Sequence, residues 1–156
     1  MKVLIVCDGN ICRSPLAAEY LRARAAGAGL AHLIVGSAGL LGIEGRPAAP
    51  FSVQIAREAG LDLTSHRSRG LTAAEMRTSD LVVGMTIDHL DALGRRYPGA
   101  SPRRLLLRAF ERGPIPEEGA PNLDDPVTGP IDDYRAAWEV IRPSVDHLVL
   151  WLRHAA

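Results

Sequence analysis

The sequence predicts an α/β protein: a single-domain three-layer sandwich in which a four-stranded parallel sheet is flanked by helices on both faces. Three observations carry that expectation. Four short apolar runs occur at Val3–Val6, Leu33–Val35, Asp80–Gly84 and Arg104–Leu107, and they do not alternate as half-exposed strands would. Helical patterns separate them, and strands alternating with helices build a parallel sheet covered on both sides. The chain has 156 residues, 47% hydrophobic and 23% charged, which fits one domain over residues 1–156 with a real core.

In chain order, Val3 to Val6 reads as a central strand buried on both faces. The following helix runs from Leu16 to about Ala26, with Leu16, Tyr20 and Leu21 on one face and Gly27 and Gly29 ending it. Leu33–Val35 is a second strand leading into Gly36-Ser37-Ala38-Gly39, and a Gly- and Pro-containing loop continues to Pro50. Phe51 to Ala59 is helical, stopped at Gly60. Thr72-Ala73-Ala74-Glu75 has the spacing of a capping box opening a short helix. The third strand, Asp80–Gly84, precedes a helix from Thr86 to about Tyr97, closed by Pro98-Gly99. After the fourth strand, Arg104–Leu107, a loop from Gly113 to Pro130 carries Pro114, Pro116, Pro121, Pro126 and Pro130. Loops of that length inside a domain are usually functional. Ile131 to His154 is amphipathic, with Tyr134, Trp138, Ile141, Val145, Leu148 and Leu152 at helical spacing. Pro143 interrupts it, so a kink is expected, or a break with Ser144 capping a second segment.

Composition excludes several functions. Formal net charge is zero, which gives no global field for nucleic acid or an anionic membrane. All but one (Lys2) of the 18 Lys and Arg residues are arginine, a skew that reads as compositional bias. The apolar run after Met1-Lys2 is too short for a signal sequence or a membrane span, so a cytoplasmic protein, expected to be a monomer, follows. The two cysteines share one loop, which leaves no disulfide framework and no zinc site. Neither a metal nor another cofactor is expected.

That loop, Cys7-Asp8-Gly9-Asn10-Ile11-Cys12-Arg13-Ser14-Pro15, lies between the first strand and the first helix. A strand turning sharply into a helix leaves backbone N–H groups and the positive end of a helix dipole facing the turn, a site for an oxyanion. The strand delivers Cys7 to its mouth, and Arg13 adds a planar cation whose fork suits a tetrahedral oxyanion. A helix N-terminus and a guanidinium are the surroundings that convert a thiol into a nucleophilic thiolate. Gly9 and Asn10 tolerate positive φ. Ser14 suits an N-cap, with a hydroxyl that could also donate to the Cys7 sulfur, and Pro15 suits the first helical position.

These nine residues resemble the signature of the low-molecular-weight protein tyrosine phosphatases, Cys-x-Gly-Asn-x-Cys-Arg-Ser-Pro. The resemblance, to the bacterial type of the family, continues through Ser37-Ala38-Gly39, His66-Arg67-Ser68-Arg69, Asp80-Leu81-Val82-Val83 and Asp125-Pro126, and so spans nearly the whole chain. It implies a cysteine-dependent phosphomonoesterase acting on phosphorylated protein, with phosphotyrosine the expected substrate. Cys7 would form a phosphocysteine, residues Asp8 to Ser14 and Arg13 in particular would hold the phosphate, and inorganic phosphate or other oxyanions would inhibit. The leaving oxygen needs a proton, and a carboxylic acid on the long loop can supply it and then activate water. The resemblance assigns this role to Asp125, before Pro126; Asp124 is its neighbour and rival. Asp132 and Asp133 read as first-turn carboxylates facing a helix dipole. The resemblance also implies that Ser37 supports Asn10, that His66 is structural, and that Cys12 can form a reversible disulfide with Cys7; a small packing residue is the other reading of Cys12.

The chain departs from the family at the mouth of the site. Val127 and Thr128 follow Asp125-Pro126 where an aromatic residue is usual, and no aromatic lies between Ala38 and Ala49. Ala49 and Thr86 stand where the family has aspartates. An aromatic phosphate would lose stacking partners worth roughly 0.5–1.5 kcal/mol each. Ile11 favours an aryl phosphate, since relatives acting on phosphoarginine tend to have threonine there. Protein-arginine phosphatase and a non-catalytic phosphate- or phosphoprotein-binding module are therefore the alternatives. Arsenate reduction, which needs further cysteines, is disfavoured by a count of two.

Overall fold

Residues 1–155 are described by a computed structural model. Alternate residues of the first strand, β1 (Lys2–Cys7), point to opposite sides of the sheet, and both sets are buried. Val3, Ile5 and Cys7 pack into one core with α1 (Arg13–Gly27), α2 (Pro50–Glu58) and α5 (Ile131–Ala155). Leu4 and Val6 pack into the other, with Met76 of α3 (Ala73–Thr78) and Leu93 of α4 (Ile87–Arg96). The three expected layers are thus present, with the larger core on the α1/α5 side.

The sheet has the order β2-β1-β3-β4, with β2 at Ile34–Gly39, β3 at Leu81–Gly84 and β4 at Arg103–Leu106, all parallel. The chain reverses its direction of winding at β1, so the loop after β1 opens at the carboxyl end of the sheet, where such folds bind ligands. The β1–β2 register sets Cys7 opposite Gly39 and brings Ser37 to the same end.

Three local expectations are corrected. Helix α5 runs unbroken through Pro143, and Ser144 donates its hydroxyl proton to the Val140 carbonyl at 2.7 Å instead of capping a second segment. The missing Pro143 N–H costs one ladder bond, which the packing of Ile141, Val145 and Leu148 outweighs. Helix α1 opens at Arg13 with Cys12 as N-cap and no side-chain cap, so Ser14 and Pro15 both lie inside its first turn. Pro15 still costs nothing there, because those N–H groups have no helical acceptor. The fourth strand ends at Leu106, and Leu107–Phe110 forms a 3-10 turn that the apolar run concealed. The other stop signals act as read: Gly29 and Gly60 both take φ 77°, just beyond α1 and α2.

Candidate active site

The loop from Asp8 to Cys12 is built inside out. The carbonyls of Cys7, Asp8, Asn10, Ile11 and Cys12 all accept hydrogen bonds from the scaffold: from the N–H groups of Leu40, Leu41 and Ala49, from His66 Nε2 and from Ser52 Oγ. Among the described residues no protein acceptor takes the N–H of residues 8 to 12. With every one of those carbonyls turned outward, the donors are left to face the inside of the turn, an anion cradle made of backbone.

Asn10 locks this shape. Among the described non-glycine residues it alone has positive φ, 58°, and it is fully buried. Gly9, also read as needing that freedom, does not use it. Asn10 Nδ2 donates to Ser14 Oγ at 2.9 Å and to Ser37 Oγ at 3.0 Å, while its Oδ1 accepts from the Arg69 N–H at 3.1 Å. His66 Nε2 donates to its carbonyl at 2.8 Å. Burial holds the His66 pKa below its ordinary value, and Arg22, Arg67 and Arg69 act the same way against that hydrogen bond. His66 is a strut.

Close approach matters at one further position. A Cβ on Gly39 would sit 2.8 Å from the Asp8 carbonyl oxygen and 2.9 Å from the Gly9 carbonyl carbon, so only glycine lets β2 lie beneath the loop. Ser37-Ala38-Gly39 is part of the family resemblance, but the contact at Gly39 joins it to Asp8 and Gly9, distant in the chain, and has no local signal.

Cys7 ends β1 almost fully buried, with its Sγ 3.0 Å from Ser14 Oγ. Since Ser14 Oγ already accepts from Asn10, its own proton is free to point at the sulfur. Arg13, 2% exposed, sends Nη1 to the Leu123 carbonyl at 2.7 Å. Its Nη2 meets Asp8 Oδ2 at 3.0 Å and Asp125 Oδ2 at 3.3 Å. Its Nε, buried, finds no acceptor among the described residues, a donor still to be used.

Asp125 reaches this point from the long loop. That loop is pinned just ahead of it: Leu123 N–H donates to the Met85 carbonyl at 2.8 Å, at the end of β3, and Ile87 N–H donates to Asn122 Oδ1 at 2.8 Å. Asp125 Oδ1 accepts from the Val127 N–H at 3.1 Å, which fixes the carboxylate over its own turn. Over Cys7 lies a pocket of about 130 Å³ walled by Ile11, Leu41, Ile43 and Val127, with Asp8 and Asp125 as its carboxylates. Asp124 lies outside it, in a neighbouring groove of about 350 Å³ with Arg108 and Asp133. Asp132 and Asp133 occupy the first turn of α5, as read.

Cys12 also lines the pocket over Cys7, buried, with its Sγ 3.5 Å from Tyr134 Oη. Burial pushes its thiol up to about 11, against the Tyr134 hydrogen bond. Both cysteines are free thiols. Tyr134 read simply as core; it also stacks edge-on with Phe51 at 5.3 Å and lies 3.4 Å from the Val127 carbonyl, joining α5, α2 and the long loop behind the site. His89 was missed. Its Nε2 donates to Asp8 Oδ1 at 2.9 Å, and the only sequence cue was a histidine three residues after the capping Thr86.

A parallel α/β sheet carrying a cysteine and an arginine on a backbone anion cradle, with a carboxylate opposite, defines the cysteine-dependent phosphatases as a class. Within that class the chain belongs to the low molecular weight phosphotyrosine protein phosphatase family, whose model matches residues 2–155. It is 33% identical over 147 residues to a protein-arginine-phosphatase of Geobacillus stearothermophilus, covering 94% of this chain and 93% of that one. It is 34% identical over 156 residues to a low molecular weight protein-tyrosine-phosphatase of Streptomyces coelicolor, covering 97% and 93%. Among solved structures, a mutant YwlE arginine phosphatase with a phosphorylated active site serine is similar with a TM-score of 0.89 at 27% identity, over 98% of this chain and 96% of that one.

Proposed function

We propose that this protein hydrolyses phosphotyrosine in protein substrates through a phosphocysteine on Cys7. The phosphoryl oxygens take the loop N–H groups and the Arg13 guanidinium, including its unused Nε. The Cys7 thiolate attacks phosphorus in line, the S–P bond forms, and the P–O bond to the tyrosine breaks. Asp125 gives its proton to the departing oxygen. A water then loses a proton to Asp125 and attacks phosphorus, the S–P bond breaks, and phosphate leaves with the thiolate restored. The cradle and Arg13 neutralise the charge on the phosphoryl oxygens throughout.

The observation that carries this reading is the meeting of Asp8, Arg13 and Asp125 above a buried Cys7 sulfur that Ser14 faces at 3.0 Å. The phosphorylated serine of the YwlE mutant supports a covalent phosphoryl-enzyme in a protein of this fold. The test is metal-free hydrolysis of p-nitrophenyl phosphate, with acid quench and mass spectrometry to trap phosphate on the peptide holding Cys7. Turnover with no phosphorylated peptide at Cys7 overturns the mechanism; binding of phosphate without turnover favours the binding-module alternative.

A second substrate, phosphoarginine, is favoured by the aliphatic walls of the pocket, which offer an aryl ring no stacking partner. Ile11 and the family description favour tyrosine. Matched phosphotyrosine and phosphoarginine peptides decide between them by kcat/KM. Cys12, a buried free thiol lining the same pocket, is proposed as the partner that captures an oxidised Cys7 in a reversible disulfide.

A further inference from the structure

Resting on the phosphatase reading above, we propose that Asp8 is a built-in competitor for Arg13: a carboxylate, held in place by His89, that an entering phosphoryl group must displace. The two oxygens of Asp8 have separate partners. Oδ2 accepts from Arg13 Nη2 at 3.0 Å, and Oδ1 accepts from His89 Nε2 at 2.9 Å. His89 is 3% exposed, and its Nδ1 accepts from the N–H groups of both Met85 and Thr86 at 3.2 Å. Two amides aimed at one ring nitrogen exclude a proton there, so the ring is neutral with its hydrogen on Nε2, directed at Asp8. Burial also holds the His89 pKa below the ordinary value, against the pull of Asp8. The β3–α4 turn thus positions the Asp8 carboxylate through one side chain.

Arg13 does not need Asp8 for its own placement. It is buried, and its Nη1 is fixed to the Leu123 carbonyl at 2.7 Å. Asp8 therefore adds charge where position is already set. Nη2 donates to Asp8 Oδ2 at 3.0 Å, and Asp125 Oδ2 lies 3.3 Å away as an ion-pair partner. A phosphoryl oxygen that takes the bond Asp8 holds on Nη2 has to release that carboxylate. Asp125 serves the leaving group, whereas the Asp8 side chain is 44% exposed and has water to turn toward. Burial alone would raise the Asp8 pKa, but hydrogen bonds from His89 and Arg13 outweigh it and hold the group below its ordinary value, ionised at neutral pH. A carboxylate and a phosphate dianion sharing one guanidinium repel each other. Retained product is therefore weakened in its hold on the loop.

The test is the Kd of inorganic phosphate, by calorimetry at fixed ionic strength and neutral pH. Asp8→Asn should bind phosphate about tenfold more tightly, the order expected for removing one charge a few ångströms from a dianion. Asp8→Glu, which keeps the charge, should return toward the wild-type value. His89→Leu should tighten binding when Asp8 is present and do so far less in the Asp8→Asn background, because the Nε2 proton of His89 reaches the phosphate site through Asp8. Should His89→Leu not fold, the Asp8 pair decides alone. Folded Asp8→Asn binding phosphate no more tightly than wild type makes Asp8 a brace for Arg13 and overturns the proposal. Hydrolysis of p-nitrophenyl phosphate by the same wild-type preparation reports separately on the phosphatase reading.

Discussion

The two halves of the site are held in different ways. The cradle that starts at Cys7 is fastened by buried and half-buried bonds: Asn10 to Ser14, Ser37 and Arg69, His66 to Asn10, Ser52 to Cys12. The segment bearing Asp125 is fastened mainly by its backbone just upstream, through Leu123 to Met85 and to Arg13, and its carboxylate is 32% exposed. The cradle is part of the core, and the segment bearing Asp125 is draped over it. Substitutions in the first should affect folding together with catalysis, and those in the second catalysis alone.

The largest effect lies at the nucleophile. Cys7→Ser should lower kcat by at least roughly 10⁴-fold, as removal of a nucleophile does elsewhere, while still binding phosphate. Wild-type turnover in that variant refutes covalent catalysis by Cys7. Asp125→Asn should reduce kcat by about 10²–10⁴-fold, the range for general acid–base groups, with the melting temperature unchanged. A large fall in melting temperature would erase the contrast between the two halves. Asn10→Ala sharpens it from the other side. The variant leaves several buried polar groups without partners and puts a Cβ-bearing residue that cannot compensate at positive φ, so about 3 kcal/mol of stability should be lost in urea titrations.

The smallest effect is one of pH. His66 and His89 both have pKa values held below the ordinary 6.5, so the folded protein keeps them neutral while the unfolded chain protonates. The unfolded state then binds more protons, and stability is lost as pH falls below 6.5 toward their folded values. Urea midpoints measured across that window should fall on acidification, and His66→Gln should flatten part of the slope. An unchanged slope in that variant would remove His66 from the account.

The sheet, its helices and the cradle were legible because their signals are local. The apolar runs, glycine stops and capping box each report on a few adjacent residues, and Cys7 to Pro15 is one contiguous string. What escaped depends on distant partners. His89 and Asp8 are 81 residues apart, and Tyr134 and Cys12 are 122 apart. The break offered as one outcome at Pro143 is absent because tertiary packing along α5 overrides a single missing hydrogen bond. That Asp125 rather than Asp124 lies beside Arg13 is a matter of spatial position, which two neighbouring identical residues cannot disclose.

Leu41 and Val127, whose side chains border the opening above Cys7, are 65% and 52% exposed and belong to neither hydrophobic core. A lineage could therefore exchange them freely, trading aliphatic for aromatic or small for large, without disturbing the folded framework or the sulfur. Preference among phosphorylated targets would drift quickly on such a platform, while the hydrolytic step stayed constant.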